Sequence, residues 1–199
     1  MAEQAGGTER LATFTDGVLA ISMTLLALDV RLPIDVSQLD NAALWQAMLA
    51  VWPRLFSYAL SFIVVGSFWI NHKNRLGAIT AADGIFTWLN IIFLLLVGLV
   101  PFATALLADS GNAVATASYA AVMAACSGML SLMALYARRS GLMPGDRAPG
   151  GERFGLAAIV FLLSIPVAFY DADFGKYFWL LLFPLGAASR WAGVRRPRS

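Results

Sequence analysis

Asp16 is a carboxylate inside an otherwise apolar run, and any chemistry of this sequence starts from it. A charge within a bilayer is costly and usually marks an ion path, a proton relay or a paired structural group. Two side chains could answer it. Arg10 lies six positions earlier, about 600° of helical rotation, so the two do not share a face and the arginine would have to snorkel around. His72, the only histidine, ends a second apolar run. A cluster of Arg10, Asp16 and His72 has two readings. The commoner is a buried polar knot that fixes helix packing; the other is a proton relay or substrate site. One histidine without a second ligand at metal spacing holds no metal, so neither a metal nor a cofactor is expected. The sequence has no Gly-x-Ser-x-Gly, no phosphate-binding glycine loop and no cysteine pair, and an enzyme is not expected. Asn71, Asn90 and Ser61 are isolated polar groups of the kind that hydrogen-bond between helices.

The run around Asp16 carries a second pattern. Gly17, Ile21, Thr24 and Leu28 recur at +4, +3 and +4 and share one helical stripe, flanked by Leu25. By spacing alone such a stripe is a packing face. Gly17, Ala20 and Ala27 on the same helix allow close approach of another helix. Leu19 lies off the stripe and serves as its outward-facing control.

The elements that must position these residues are membrane spans. Hydrophobic residues make up 59% of the 199 and charged residues only 13%, against roughly 25% charged in soluble domains. The apolar residues form runs long enough to cross a bilayer, which takes about 20 residues each. We read an all-α integral membrane bundle of six transmembrane helices in one domain over 1–199, with spans at about 11–30, 53–71, 84–107, 113–136, 154–170 and 177–191. An amphipathic stretch, Ser37–Val51, fits the interface before the second span. Pro33 stops the first helix, and Asp109-Ser110-Gly111-Asn112 makes a tight hairpin between the third and fourth. The segment Ser140–Gly151 reads as an exposed loop. Trp52, Trp69, Tyr136, Tyr170, Tyr177 and Trp191 stand near span ends as interfacial anchors.

With six spans, one side of the membrane holds Arg10, Lys73, Arg75, Arg138, Arg139, Arg147, Arg153, Arg190, Arg195, Arg196 and Arg198; the other holds only Arg31, Arg54 and Lys176. The asymmetry predicts a multi-pass protein of the cell membrane with both termini cytoplasmic. These basic residues flank apolar runs, so the slight positive charge points to membrane orientation and not to nucleic acid. Cys126, the only cysteine, has no internal partner, and no cleavable signal peptide is evident.

The first span, from Arg10 through Phe14-Thr15-Asp16-Gly17 to Leu28, resembles the first helix of the transmembrane protein 175 potassium channel family, whose hallmark there is Arg, three residues, then Phe-Ser-Asp. Thr15 replaces the usual serine and keeps its hydroxyl. Ser67-Phe-Trp69-Ile-Asn71-His72 is similar to the family's second-helix ending. Trp88-Leu-Asn90 with Leu99-Val-Pro101-Phe-Ala-Thr104 is similar to its third helix; the last three spans match mainly in hydropathy. The resemblance implies a homotetramer in the lipid bilayer whose pore is lined by the first helix of each subunit, passing monovalent cations with K+ preferred. It implies that Ile21 forms the narrow ring, that Leu25 and Leu28 line the pore beyond it, and that Thr24 supplies a hydroxyl ring. It implies that Arg10, Phe14, Thr15, Asp16 and His72 form the network holding the pore helix to its scaffold. The stripe thereby changes from a packing face to a pore face. The alternative is a proton-coupled secondary transporter using Asp16 and His72, although the sequence has neither an inverted repeat nor a pair of interrupted helices.

Overall fold

The computed structural model describes residues 2–32, 39–143 and 151–179, and among them the protein is all helical. The helices are α1 (Ala2–Ala27), α2 (Asn41–Ala50), α3 (Trp52–Leu76), α4 (Gly84–Gly98), α5 (Val100–Ser110), α6 (Ala113–Arg139), α7 (Gly151–Tyr170) and α8 (Ala172–Phe178). Among the described residues four stretches are long and apolar enough to cross a membrane: Gly6–Asp29, Trp52–Leu76, Gly84–Ser110 and Ala113–Arg139. Phe154–Tyr170 is a shorter apolar helix. The sixth span expected at 177–191 falls, beyond Trp179, outside the described residues, as does most of the 140–151 loop.

Local sequence sets the boundaries. Asp40, Asp83 and Asn112 cap α2, α4 and α6, each side chain accepting the backbone N–H three residues on, at 2.7, 2.7 and 2.9 Å. Gly111 ends α5 at φ 58°, a left-handed conformation that suits glycine, and its N–H returns to the Leu107 carbonyl. The expected third span is one span in two pieces. Pro101 has no N–H for the Val97 carbonyl, and the helix is rewound at Leu99 between α4 and α5. The expected interfacial stretch becomes α2, and α1 begins at Ala2, nine residues before the expected start.

α6 is the central helix, with Tyr119, Met123, Cys126, Leu130, Met133 and Ala137 all buried. It packs on α4, α5 and above all α7, while α1 lies across α3, α4 and α5. Hydrocarbon tails remove most of the hydrophobic drive between helices, so polar bonds and close packing must hold them. A hydroxyl set does this in the core. Ser61 on α3 bonds Thr104 on α5 at 2.8 Å and Tyr119 on α6 at 3.1 Å. Trp179, against Tyr119, donates to Ser164 on α7 at 2.9 Å.

Candidate functional site

α1 has two faces. Leu11, Thr15, Leu19, Ser22 and Leu26, spaced +4, +4, +3 and +4, are buried against the scaffold. The opposite face carries Phe14, Gly17, Ala20, Ile21, Thr24, Leu25 and Leu28, all exposed, with Ile21 at 61% and Leu28 at 69%. Leu19 is therefore no neutral control. It is 1% exposed and sits in the core, because it falls on the +4 repeat from Leu11 and Thr15.

The exposed face is not uniformly apolar. Gly17, Ala20 and Thr24 interrupt it with small or polar groups, and among the described residues, apart from the backbone of α1 itself, nothing lies within 4 Å of where a Gly17 side chain would be. Small residues let helices of neighbouring subunits come together. Thr24 donates its hydroxyl proton to the Ile21 carbonyl at 2.8 Å. The oxygen lone pairs remain, so this position offers an acceptor, which suits a cation.

The buried face is fastened by a directional chain. Thr15 donates to the Leu11 carbonyl at 2.8 Å and accepts from Asn90 Nδ2 at 2.9 Å. Asn90 Oδ1 lies 2.7 Å from His72 Nε2. An amide oxygen only accepts, so His72 carries its proton on Nε2. The imidazole stacks on Phe93, with centroids 5.4 Å apart and planes 7° apart. Every donor points one way, and the chain ends on a backbone carbonyl. Such a chain fixes α1 to α3 and α4; with an amide as its middle link, it hands no proton along.

Asp16 belongs to a different group. Its Oδ1 accepts from Trp69 Nε1 at 2.8 Å, and Lys73 lies over the Trp69 ring, 5.0 Å from its centroid. Among the described residues no hydrogen bond or ion pair joins Asp16 to Arg10 or to His72, and both Arg10 and Phe14 are exposed. The structure thus brings Thr15 and His72 together through Asn90, sets Asp16 with Trp69, and leaves Arg10 and Phe14 outside both groups. Asn90 and Ser61 do bond between helices, whereas Asn71 donates to the Ser67 carbonyl of its own helix at 2.8 Å. Asn90 was legible as an interhelical hydrogen-bonding group, but its place between His72 and Thr15 was not. Trp69 was legible as a residue near a span end and as part of the second-helix motif, but neither signal named Asp16 as its partner. Among the described residues no group of three or more His, Cys, Asp or Glu could hold a metal ion.

A family model described as the endosomal/lysosomal potassium channel TMEM175 matches residues 10–101, which include every residue of these two polar groups. A Streptomyces collinus protein named a potassium channel is 34% identical over 175 residues, 82% of this chain and 83% of its own. The human endosomal/lysosomal proton channel TMEM175 is 37% identical over 100 residues, 48% of this chain and 20% of that longer protein. The crystal structure of a lysosomal potassium-selective channel TMEM175 homolog from Chamaesiphon minutus superposes with a TM-score of 0.78 at 25% identity, covering 92% of this chain and 97% of that one. These relatives are channels, not enzymes, and the chain is a multi-pass membrane protein that belongs to the TMEM175 family.

Proposed function

We propose that this protein is a potassium-selective leak-type cation channel of modest selectivity, a homotetramer of six-helix subunits with α1 of each subunit at the axis. The observation that carries the proposal is the two-faced α1: one face is bolted to the scaffold, and the other leaves Ile21, Thr24, Leu25 and Leu28 exposed among the described residues. Four Ile21 side chains around an axis make an apolar ring that an ion crosses only by shedding part of its water. Potassium, larger and more weakly hydrated than sodium, loses less in doing so. The Thr24 oxygens stand one turn further along and return part of the lost coordination, with Leu25 and Leu28 lining the path beyond. Apolar rings also gate by dewetting. Both termini lie on the cytoplasmic side of the cell membrane in this arrangement, in keeping with the basic residues.

The transporter alternative is weaker, because Asp16 and His72 hold separate partners and the His72 chain runs one way. Reconstitution into proteoliposomes tests the reading: a channel passes potassium down its gradient with no coupled ion, and more readily than sodium. A potassium flux that stops when the proton gradient is collapsed would establish the transporter.

A further inference from the structure

The regular hydrogen bonding of α1 ends at Ala27, yet Leu28 is the most exposed large apolar side chain of its free face. Leu28 stands on tight turns: Leu28 N–H bonds to Leu25, Val30 to Ala27 and Arg31 to Asp29, at 3.1, 3.2 and 3.0 Å. Turns of this kind hold a side chain less firmly than continuous helix does, so its position depends on what anchors residues 28–31. The anchor is Arg54, in the first turn of α3. Its Nη1 donates to the Arg31 carbonyl at 3.1 Å, and its Nη2 meets Asp109 Oδ1, near the end of α5, at 2.8 Å. One guanidinium thus ties the end of α1 to both α3 and α5. The planar fork of arginine serves two acceptors at a fixed angle, which the point charge of lysine does not.

We propose that Arg54 is a positioning residue for the ion path: with Asp109 it holds the end of α1, and with it Leu28, back against the scaffold. This rests on the reading of α1 as the pore helix. Released from Arg54, residues 28–31 would move more freely, and four apolar Leu28 side chains sampling the axis would narrow the path. The side chains of the pair are 21% and 59% exposed. An exposed pair of this kind is worth at most about 1 kcal/mol, so the expected loss of potassium flux is about two- to five-fold and not complete.

The test uses full-length protein in proteoliposomes with a spin label on Leu28→Cys; Cys126 is fully buried and stays unlabelled. Arg54→Gln should raise label mobility and lower potassium flux, with Arg54→Lys between it and wild type. The swap of Arg54→Asp with Asp109→Arg separates positioning from simple stability. It restores an ion pair, and with it thermal stability, but Asp at position 54 has no donor for the Arg31 carbonyl, so mobility and flux should stay abnormal. Wild-type mobility and flux in Arg54→Gln, or their full recovery in the swap, would overturn the proposal. Label mobility reads the anchor whether or not ions pass. A label that responds to Arg54 in a protein passing no potassium would therefore contradict the pore reading and leave the anchor standing.

Discussion

His72 Nε2 and Asn90 Oδ1 lie 2.7 Å apart, and because an amide oxygen cannot donate, this contact fixes both the histidine tautomer and the direction of the chain that ends at Thr15 and Leu11. The buried polar groups nearest α1 are thereby its fastening, and their loss should be felt as instability before it is felt as altered permeation.

Asn90→Ala removes the middle link and leaves His72 and Thr15 buried without their partner. The expected loss is about 1–3 kcal/mol. It should appear as a lower midpoint in thermal unfolding of the detergent-solubilised protein, with the potassium-to-sodium ratio of the surviving protein unchanged. Normal stability with a changed ratio would move Asn90 into the ion path.

Asp16→Asn should be mild. The sequence led us to expect Arg10 or His72 to be stranded by this change, but Asp16 accepts from Trp69, and an asparagine oxygen accepts equally well. Asp16→Leu and Trp69→Phe each break the bond, and the double variant should cost less than the sum of the two. Additive losses in thermal unfolding would show that the bond contributes nothing.

Gly175 permits a close approach of α8. A Cβ there would stand 3.0 Å from the Ala168 Cβ and 3.1 Å from its Cα, with Thr116 at 3.2 Å. Gly175→Ala should therefore destabilise the fold, by about 1–3 kcal/mol as overpacking does. Gly128→Ala, within α6 and with nothing inside 4 Å, should be neutral or stabilising, by up to about 1 kcal/mol. Thermal unfolding of the two variants side by side checks the contrast.

Helices were legible from the sequence wherever apolar length and breakers decide the matter. Gly111 and Asn112, read as part of a tight turn, border real helix ends, while α1 ends at Ala27, before the expected stop at Pro33, which lies outside the described residues. The stripe from Gly17 to Leu28 was legible from 3.6-residue periodicity, since a stripe keeps its register however the helix is packed, although spacing alone made it a packing face and not an exposed one. What was not legible depends on neighbours in space. Which face of α1 meets the scaffold is set by α3, α4 and α5, and so Leu19 was misjudged. The partner of Asp16 comes from Trp69 on another helix, 53 positions away, and no spacing rule reaches it. The early start of α1 was missed because polar composition argues against a span, although Ala2–Ala5 holds good helix formers and no proline precedes Leu11.

Leu19 and Ile21, two positions apart, should respond oppositely to truncation. Leu19→Ala opens a hole in the core and should lower stability by roughly 2–5 kcal/mol. Ile21→Ala empties nothing inside the subunit; it should widen the apolar ring and raise flux with little loss of stability. Leu95, exposed on α4, is the better control, and Leu95→Ala should change neither quantity.

The central claim is that Ile21 forms the narrow ring of the ion path, and the potassium-to-sodium flux ratio of Ile21→Asn in proteoliposomes tests it most directly. A polar ring stays wet and returns to sodium part of the coordination it loses. Total flux should therefore rise, and the potassium preference should fall, while the protein remains folded and assembled. If a well-folded Ile21→Asn protein keeps both the wild-type flux and the wild-type ratio, the free face of α1 is a packing surface and the ion path lies elsewhere.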